Sequence, residues 1–265
     1  MNERVLIRGS GDVGSAVAHL LSGWGYAVVI HDEPAPAAPR RGMAFTDAVF
    51  DGSAYLEGVE GRKVERSGDL VEALGAHQTV PIFTGELGEA IGALRPSVVV
   101  DARMRKRVLP EPQLDLARLT VALGPNCEAG ITAHAVIETQ WGDRLGEVLW
   151  AGRTRELAGE PQTYGGHARA RFVYAPVGGP FASGYGIGDP VRSGEVVAHV
   201  GQTPLAAPLD GILRGLVRSG VEVSEGAKVV EVDPRADVSK VFGIGSRPAR
   251  IAEGVLEAIE QGLRR

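Results

Sequence analysis

Three glycines near the start of the chain could bring a phosphate group close to the backbone. Gly9, Gly11 and Gly14 form a G-x-G-x-x-G frame between the apolar run RVLIRG and the helical stretch DVGSAVAHLL. In such a frame the first glycine permits a tight turn, the second lets a phosphate approach N–H groups, and the third allows close helix–strand packing. The spacing favours a nucleotide-like ligand, although a tight strand-to-helix unit without a ligand gives the same pattern.

Two aspartates accompany this turn and are further candidate cofactor-binding residues. Asp32 ends the stretch AVVIHD, where an acidic residue can accept hydrogen bonds from a ribose diol. Asp12 lies inside the turn, where its charge would oppose an incoming pyrophosphate or its side chain would cap the helix. The alternative for Asp32 is that it only caps or solvates a loop.

A second group of charged residues follows a later apolar run. The stretch SVVVDARMRKR ends a predicted strand at Asp101 and continues with Arg103, Arg105, Lys106 and Arg107. The carboxyl ends of parallel strands are where open α/β sheets bind ligands, and guanidinium groups can bind phosphate bidentately. Asp101 and Arg103 are therefore candidate cofactor-binding residues. The alternative is a solvated loop that faces acidic residues elsewhere.

The loop GPNCEAG adds Gly124 and Cys127 to the candidate residues, because glycine allows close backbone approach. A lone cysteine is more often a buried small residue than a nucleophile. His134 and Glu138 could share one face of a strand. The histidines show no H-x-x-H or H-E-x-x-H spacing and no G-x-S-x-G motif is present, so the sequence predicts no metal site and assigns no catalytic residue.

The elements that would hold these residues follow from the apolar pattern. In the first third of the chain, short apolar runs alternate with helical periods, which is typical of βαβ units on a parallel sheet. Residues 33–40, EPAPAAPR, are a predicted loop because proline interrupts helices and central strands. After about residue 118 the runs become shorter and are broken by glycine. Val255, Ile259 and Leu263 have helical spacing and predict a C-terminal helix.

The chain also repeats itself with a period of 32 residues. Seven residues from Ala175 to Val200 recur without a gap between Ala207 and Val232. One copy cannot bury both of its faces, so we expect two copies to form a two-fold β module over 172–233. The phrases A-P-x-x-G and V-x-x-G resemble the biotinyl/lipoyl carrier fold, the barrel-sandwich hybrid. The joining stretch VGQTPLA lacks a lysine, so no covalently attached biotin or lipoyl group is expected.

Composition narrows the class of ligand. The net charge is -5, from 33 acidic and 28 basic residues, which gives no global reason to bind nucleic acid or an anionic membrane. No window approaches the roughly 20 apolar residues of a membrane span, and the first residues do not resemble a signal peptide. A single cysteine excludes an internal disulfide and fits a reducing compartment. We expect a cytoplasmic protein with a small-molecule ligand.

Several phrases together resemble the accessory protein family of the selenium-dependent molybdenum hydroxylase system. They are RGSGDVGSAVAHLL, VDARMRKR, LGPNCEAG, HAVIETQWGDRLGEV, APLDGILRGLVRSG and ARIAEGVLEAI, and they cover nearly the whole chain. The resemblance implies assistance in the maturation of molybdenum hydroxylases, relatives of xanthine dehydrogenase and carbon monoxide dehydrogenase. It also implies hydroxylase subunits or maturation factors as partners. The chain departs from the family at Asn126 and Cys127, where GF is expected, so the resemblance gives Cys127 no role.

The resulting fold prediction is α/β: a Rossmann-like parallel sheet in an N-terminal domain, then a β-rich barrel-sandwich-hybrid (biotinyl/lipoyl-like) module and a terminal helix. The predicted segments are 1–125 for nucleotide binding, 126–170 as a β-rich connection, 171–235 for the β module and 236–265 for the helix region.

Three functions are left open. The first is an accessory protein for molybdenum hydroxylases that binds a pyrophosphate-containing ligand such as a molybdopterin dinucleotide. The second is an NAD(P)-dependent oxidoreductase, with Asp32 favouring NAD. The third is a non-enzymatic scaffold that docks a hydroxylase subunit. The sequence does not settle whether a reaction is catalysed, and it allows a homo-oligomer.

Overall fold

A computed structural model describes residues 3–75, 78–105, 108–157 and 161–264 of the protein. The chain divides into two compact units. The first contains Met1–Pro34, Ala44–Ala158 and Ile244–Arg265, and the second contains Ala35–Met43 and Gly159–Gly243. This grouping differs from the predicted division into four consecutive segments, because the C-terminal residues belong to the first unit.

The first unit is built on a nine-stranded mixed sheet. Its strands are β1 (Arg4–Arg8), β2 (Ala27–His31), β3 (Ser53–Leu56), β4 (Val59–Val64), β5 (Thr79–Phe83), β6 (Val98–Asp101), β7 (Leu119–Leu123), β8 (Ala135–Ile137) and β9 (Val148–Leu149). Their order is β3-β4-β5-β2-β1-β6-β7-β8-β9. The inner pairs are parallel, whereas β3 pairs with β4 and β8 pairs with β9 in antiparallel fashion.

Helices cover both faces of this sheet: α1 (Asp12–Gly23), α2 (Ala48–Asp51), α3 (Leu70–Ala73), α4 (Leu87–Leu94) and α5 (Ser246–Gly262). Val5 and Ile7 of β1 pack in one core with residues of α1 and α5, and Leu6 packs in a second core with residues of α3 and α4. Alternate residues of a strand point to opposite faces, which explains the continuous apolar runs. The predicted C-terminal helix is confirmed, and Val255 and Ile259 are fully buried.

The second unit consists of two four-stranded antiparallel sheets. Its strands are β10 (Phe172–Tyr174), β11 (Gly179–Ala182), β12 (Pro190–Val191), β13 (Val196–Val200), β14 (Thr203–Ala206), β15 (Gly211–Leu216), β16 (Glu222–Val223) and β17 (Lys228–Asp233). The sheets have the orders β10-β17-β15-β12 and β14-β13-β11-β16.

Strand pairing in the second unit follows the 32-residue repeat. Gly179 pairs with Val223, and the repeat-related residues Gly211 and Val191 pair with each other. In the same way Phe181 pairs with Val200, and Leu213 pairs with Val232. Each copy therefore completes the other, which confirms that the sequence repeat is a structural one.

The predicted combination of a Rossmann-like parallel sheet with a biotinyl/lipoyl-like module is wrong. The large sheet is mixed because hairpins occupy both of its edges. The β3–β4 hairpin turns at Glu57 and Gly58, whose φ angles of 45° and 84° suit a tight two-residue turn. The A-P-x-x-G and V-x-x-G phrases set turns and strand starts, and these do not specify a carrier fold. Among the described residues, no helix has the length and apolar character required to cross a membrane.

Candidate anion-binding site

The glycine turn joins β1 to α1 and is shaped by two close approaches. Gly9 has a φ of 106°, and a Cβ there would lie 3.1 Å from the backbone of Arg103. A Cβ on Gly14 would lie 2.0 Å from the carbonyl oxygen of Gly9. These contacts match the predicted roles of the two residues in turning and in helix–strand packing. A Cβ on Gly11 would meet no atom within 4 Å, so space is open at the helix start.

Asp32 holds the turn together. Its Oδ2 accepts hydrogen bonds from the N–H and the hydroxyl of Ser10, at 2.6 and 2.5 Å, and its Oδ1 accepts one from the N–H of Glu33 at 2.8 Å. Both carboxylate oxygens are therefore engaged by the protein itself. Asp12 is the acidic residue in the first turn of α1, where its charge is favourable to the helix dipole.

Asp101 and Arg103 are paired with each other at the ends of neighbouring parallel strands. Asp101 lies opposite Arg8 in the β1–β6 register. Arg103 donates from Nε and Nη2 to the two Asp101 oxygens, at 2.8 and 2.6 Å. Gln113 donates to Asp101 at 2.7 Å and accepts from Arg8 Nη1 at 2.5 Å. Burial would raise the pKa of Asp101, but the Arg103 hydrogen bonds and charge, together with the Arg8 charge, lower it.

Glu111 is a second carboxylate in this group, and three guanidinium groups surround it. Its oxygens lie 2.5 Å from Arg103 Nη2, 3.3 Å from Arg105 Nη1 and 3.4 Å from Arg8 Nη1. The Glu111 side chain is 41% exposed, compared with 13% for Asp101. We call Arg8, Asp101, Arg103, Arg105, Glu111 and Gln113 the edge cluster. Glu111 is its most exposed acidic member.

The Arg8 guanidinium group uses only part of its hydrogen-bonding capacity within the described residues. The side chain is 10% exposed, and its buried Nε has no hydrogen-bond partner among the residues that the structure describes. Burial and the neighbouring charge of Arg103 lower its pKa. A buried donor without an acceptor costs free energy, and an anionic oxygen would relieve that cost. The edge cluster is therefore suited to bind an anionic group.

Gly124 and Cys127 lie in a loop fixed by Thr154. The Thr154 hydroxyl donates to the Gly124 carbonyl at 2.7 Å, and the Cys127 N–H donates to the same hydroxyl at 3.0 Å. Burial, together with the Asp101 charge, raises the pKa of Cys127 to about 12. The thiol is therefore protonated at neutral pH, and this residue has a structural role rather than that of a nucleophile.

His134 and Glu138 are also structural. His134 Nδ1 accepts from the Thr120 N–H at 3.0 Å. Glu138 accepts three backbone N–H bonds, from Thr139, Gln140 and Arg155. In the part of the chain that the structure describes, no three His, Cys, Asp or Glu side chains could hold a metal ion. The predicted cations at positions 106 and 107 lie outside the described residues.

Sequence reasoning missed Arg8, Glu111 and Gln113. A signal existed for Arg8, because a charge ending the apolar run RVLIR lies at a carboxyl strand end. The other two residues lie in the stretch LPEPQL, which has no periodicity, and only the folded chain brings Gln113 to Asp101 and Glu111 to Arg103.

Comparisons with known proteins leave the family of the chain open. No family model matches it. It is 36% identical over 258 residues to the uncharacterized protein YqeB of Escherichia coli K12, a match that covers 97% of this chain and 47% of that protein. The chain thus spans about half the length of the curated relative that it matches. The resemblance to the molybdenum hydroxylase accessory family stays a prediction.

Several solved structures have a low similarity to the chain. They include the ectoine utilization protein EutE (DoeB) from Ruegeria pomeroyi, with a TM-score of 0.25 and 12% identity, covering 87% of this chain and 86% of that one. A succinylglutamate desuccinylase from Silicibacter has a TM-score of 0.25, 14% identity and coverages of 87% and 84%. An aspartoacylase family protein from Mesorhizobium loti has a TM-score of 0.26, 15% identity and coverages of 88% and 85%.

The names of these neighbours refer to ectoine utilization, desuccinylase and aspartoacylase proteins, and they give no support to the predicted function in molybdenum hydroxylase maturation. Their TM-scores are too low for an activity to be carried over to this chain. The predicted partners and the homo-oligomer stay predictions.

Proposed function

We propose that the first unit binds a small carboxylate-bearing ligand at the edge cluster. The observation that carries this proposal is Glu111, a half-exposed carboxylate at which Arg8, Arg103 and Arg105 converge. Guanidinium groups present planar pairs of donors that match a carboxylate. Glu111 thus occupies the place that the carboxylate of a ligand would take.

Glu111 is the acidic residue that a ligand can replace. Asp101 accepts from Arg103 at two positions and from Gln113, and it is largely buried, so its removal would leave buried donors without acceptors. Glu111 comes from the loop after β6 and is exposed enough to turn into solvent. A ligand carboxylate in its place would accept hydrogen bonds from the same guanidinium groups and could also reach Arg8 Nε, for which the described part of the chain offers no acceptor.

The proposed function is binding, and no reaction is assigned. Cys127 carries a protonated thiol, and the Ser10 hydroxyl donates to Asp32. We also propose a cytoplasmic location, because the chain has a single cysteine and no internal disulfide can form.

Succinate is a suitable probe, and calorimetric titration at low salt is the test. Arg105→Gln removes a partly exposed cation and should weaken succinate binding about threefold, and Arg103→Gln should weaken it about tenfold or more, since a charge-assisted hydrogen bond contributes roughly 1.5–3 kcal/mol. Arg66→Gln is the matched control, because Arg66 is exposed and forms an ion pair with Asp69. Equal succinate affinity in Arg103→Gln, Arg105→Gln and the control would refute the proposal.

A further inference from the structure

The second unit contains a different charged cluster around two fully buried carboxylates. Glu231 and Asp233 lie on β17 and have no exposed side-chain surface. Arg171 donates to Glu231, and Arg214 Nη1 donates to Asp233 at 3.1 Å. The two arginine side chains are only 2% and 6% exposed. Buried carboxylates on a strand require cations of this kind to remain ionised.

Five cationic side chains pair with these two carboxylates, so positive charge exceeds negative charge in this cluster. Glu231 also accepts hydrogen bonds from Arg40, from Nε at 2.8 Å and Nη2 at 3.1 Å, and from Lys228 at 3.0 Å. Asp233 accepts hydrogen bonds from Nε and Nη2 of Arg235, at 2.8 and 2.5 Å.

Two buried nitrogens show the consequence of this excess. Arg171 Nε has no hydrogen-bond partner in the described structure, and neither has Arg214 Nε, which lies 3.6 Å from Glu231. Burial lowers the pKa of Arg171, and the neighbouring charge of Arg40 lowers it further. The charge and the hydrogen bond of Glu231 raise this pKa but do not reverse the shift.

An aromatic ring covers the arginines. The guanidinium carbons of Arg235, Arg171 and Arg214 lie 4.0, 4.4 and 5.2 Å from the centre of the Tyr164 ring. Residues 162–167 around this tyrosine are mostly exposed. A stacked guanidinium keeps its in-plane N–H groups available for an anion. We call Tyr164, Arg171, Arg214, Glu231, Asp233 and Arg235 the Tyr164 cluster.

We propose that the Tyr164 cluster is a second anion site, which takes the phosphate group of a small ligand when the Tyr164 ring moves aside. The two unpartnered Nε–H donors belong to different arginines that approach the same ring. A phosphate dianion has more acceptor oxygens than a carboxylate and can serve donors that arrive from several directions. This site is independent of the carboxylate site proposed for the first unit.

Calorimetric titration of the full chain with inorganic phosphate tests the proposal. Tyr164→Ala removes the cover and should tighten phosphate binding severalfold, whereas Tyr164→Phe keeps the ring and should leave the affinity unchanged. Arg235→Gln removes a partly exposed cation and should weaken binding at least fivefold, while Arg192→Gln, an exposed arginine of the same unit, is the matched control. Thermal unfolding of each variant confirms that the fold is retained.

Two results would overturn the assignment. If phosphate affinity is the same in Tyr164→Ala, Arg235→Gln and the control, the cluster is an ion network without a ligand. If succinate binds the Tyr164→Ala, Arg103→Gln double variant, in which the edge cluster is impaired, as tightly as phosphate does, the site does not select phosphate. Arg103→Gln in the first unit should leave phosphate binding at the Tyr164 cluster unchanged, so failure of this proposal and failure of the carboxylate proposal can be told apart.

Discussion

The edge cluster and the Tyr164 cluster both combine arginines with carboxylates, but they differ in how far the carboxylates are exposed. In the edge cluster, the Glu111 carboxylate is half-exposed, and Asp101 is largely buried. In the Tyr164 cluster both carboxylates are fully buried, and an aromatic ring lies over the arginines. A carboxylate in solvent contact can be exchanged for a ligand, whereas one inside the unit is part of its core.

The difference teaches how to separate stability from binding among charged residues. Removing one member of a buried ion pair leaves an uncompensated charge and is strongly destabilising, but removing a partner of an exposed pair has little effect. Replacing a glutamate by glutamine should therefore be strongly destabilising in the Tyr164 cluster and nearly neutral for stability in the edge cluster.

The largest effect is expected for Glu231→Gln. The substitution removes the charge that Arg40, Arg171 and Lys228 share, so the free energy of unfolding should fall by about 3–5 kcal/mol. Glu111→Gln should cost well under about 1 kcal/mol, because Glu111 is solvated. Urea unfolding followed by circular dichroism measures both. Similar losses in the two variants would break the comparison between the clusters.

Lowering the pH should reduce the contribution of both clusters to the free energy of unfolding. Burial would raise the pKa of Glu231, but Arg40, Lys228 and Arg171 lower it well below the ordinary 4.5. Its stabilising contribution is complete above pH 4.5 and is lost as the pH falls through the lowered pKa of the folded state. The pKa of Asp101 is also lowered from 3.8. Its contribution to the free energy of unfolding is therefore complete above pH 3.8 and is lost as the pH falls below that value.

The measurement is the free energy of unfolding of wild type and Glu231→Gln between pH 7 and pH 2. The difference between the two proteins should shrink below pH 4.5. A difference that stays constant down to pH 2 would mean that Glu231 does not stabilise the fold through its charge.

A smaller effect is expected at the turn that positions Arg8. Gly14→Ala forces a methyl group against the Gly9 carbonyl and should cost about 1–3 kcal/mol, because overpacking shifts the backbone. Gly11→Ala is the matched control, since that position has open space and a φ of -65°. Thermal unfolding compares the two variants, and equal stability would show that the helix and the turn are not packed as described.

The smallest effect is expected at Cys127. Because its pKa is raised to about 12, the thiol should react with Ellman's reagent far more slowly in the native protein than in urea at pH 8. Cys127→Ala should leave succinate affinity unchanged. Rapid native labelling would indicate a thiolate, and would place Cys127 among the functional residues of the first unit.

The sequence was informative wherever a local pattern determines the structure. The glycine turn, the strand that ends at Asp101, the C-terminal helix and the 32-residue repeat all depend on residues close together or on a fixed period. The sequence analysis did not predict the short β3–β4 hairpin. The two strands that Glu57 and Gly58 separate alternate only weakly between buried and exposed residues, so they lack a clear strand pattern. That hairpin is one of the two antiparallel edge pairs that make the large sheet mixed.

The site was less predictable because its contacts are distant in sequence. The predicted contacts of Arg103 with a phosphate and of Asp32 with a ribose stay predictions, but their partners within the chain were not foreseen. Arg103 pairs with Asp101 and Glu111, and Asp32 accepts hydrogen bonds from Ser10. Charged residues inside the strands GILRGL and KVVEVD could have indicated the buried network of the second unit, because inward-pointing charges require partners.

Succinate titration of Glu111→Gln against wild type tests the central claim most directly. If the Glu111 carboxylate occupies the ligand's place among the three arginines, removing its charge frees the site, and succinate should bind about tenfold more tightly, or ~1.4 kcal/mol. Arg66→Gln should leave the affinity unchanged. Unchanged or weaker succinate binding in Glu111→Gln would contradict the claim that this side chain stands in for the ligand.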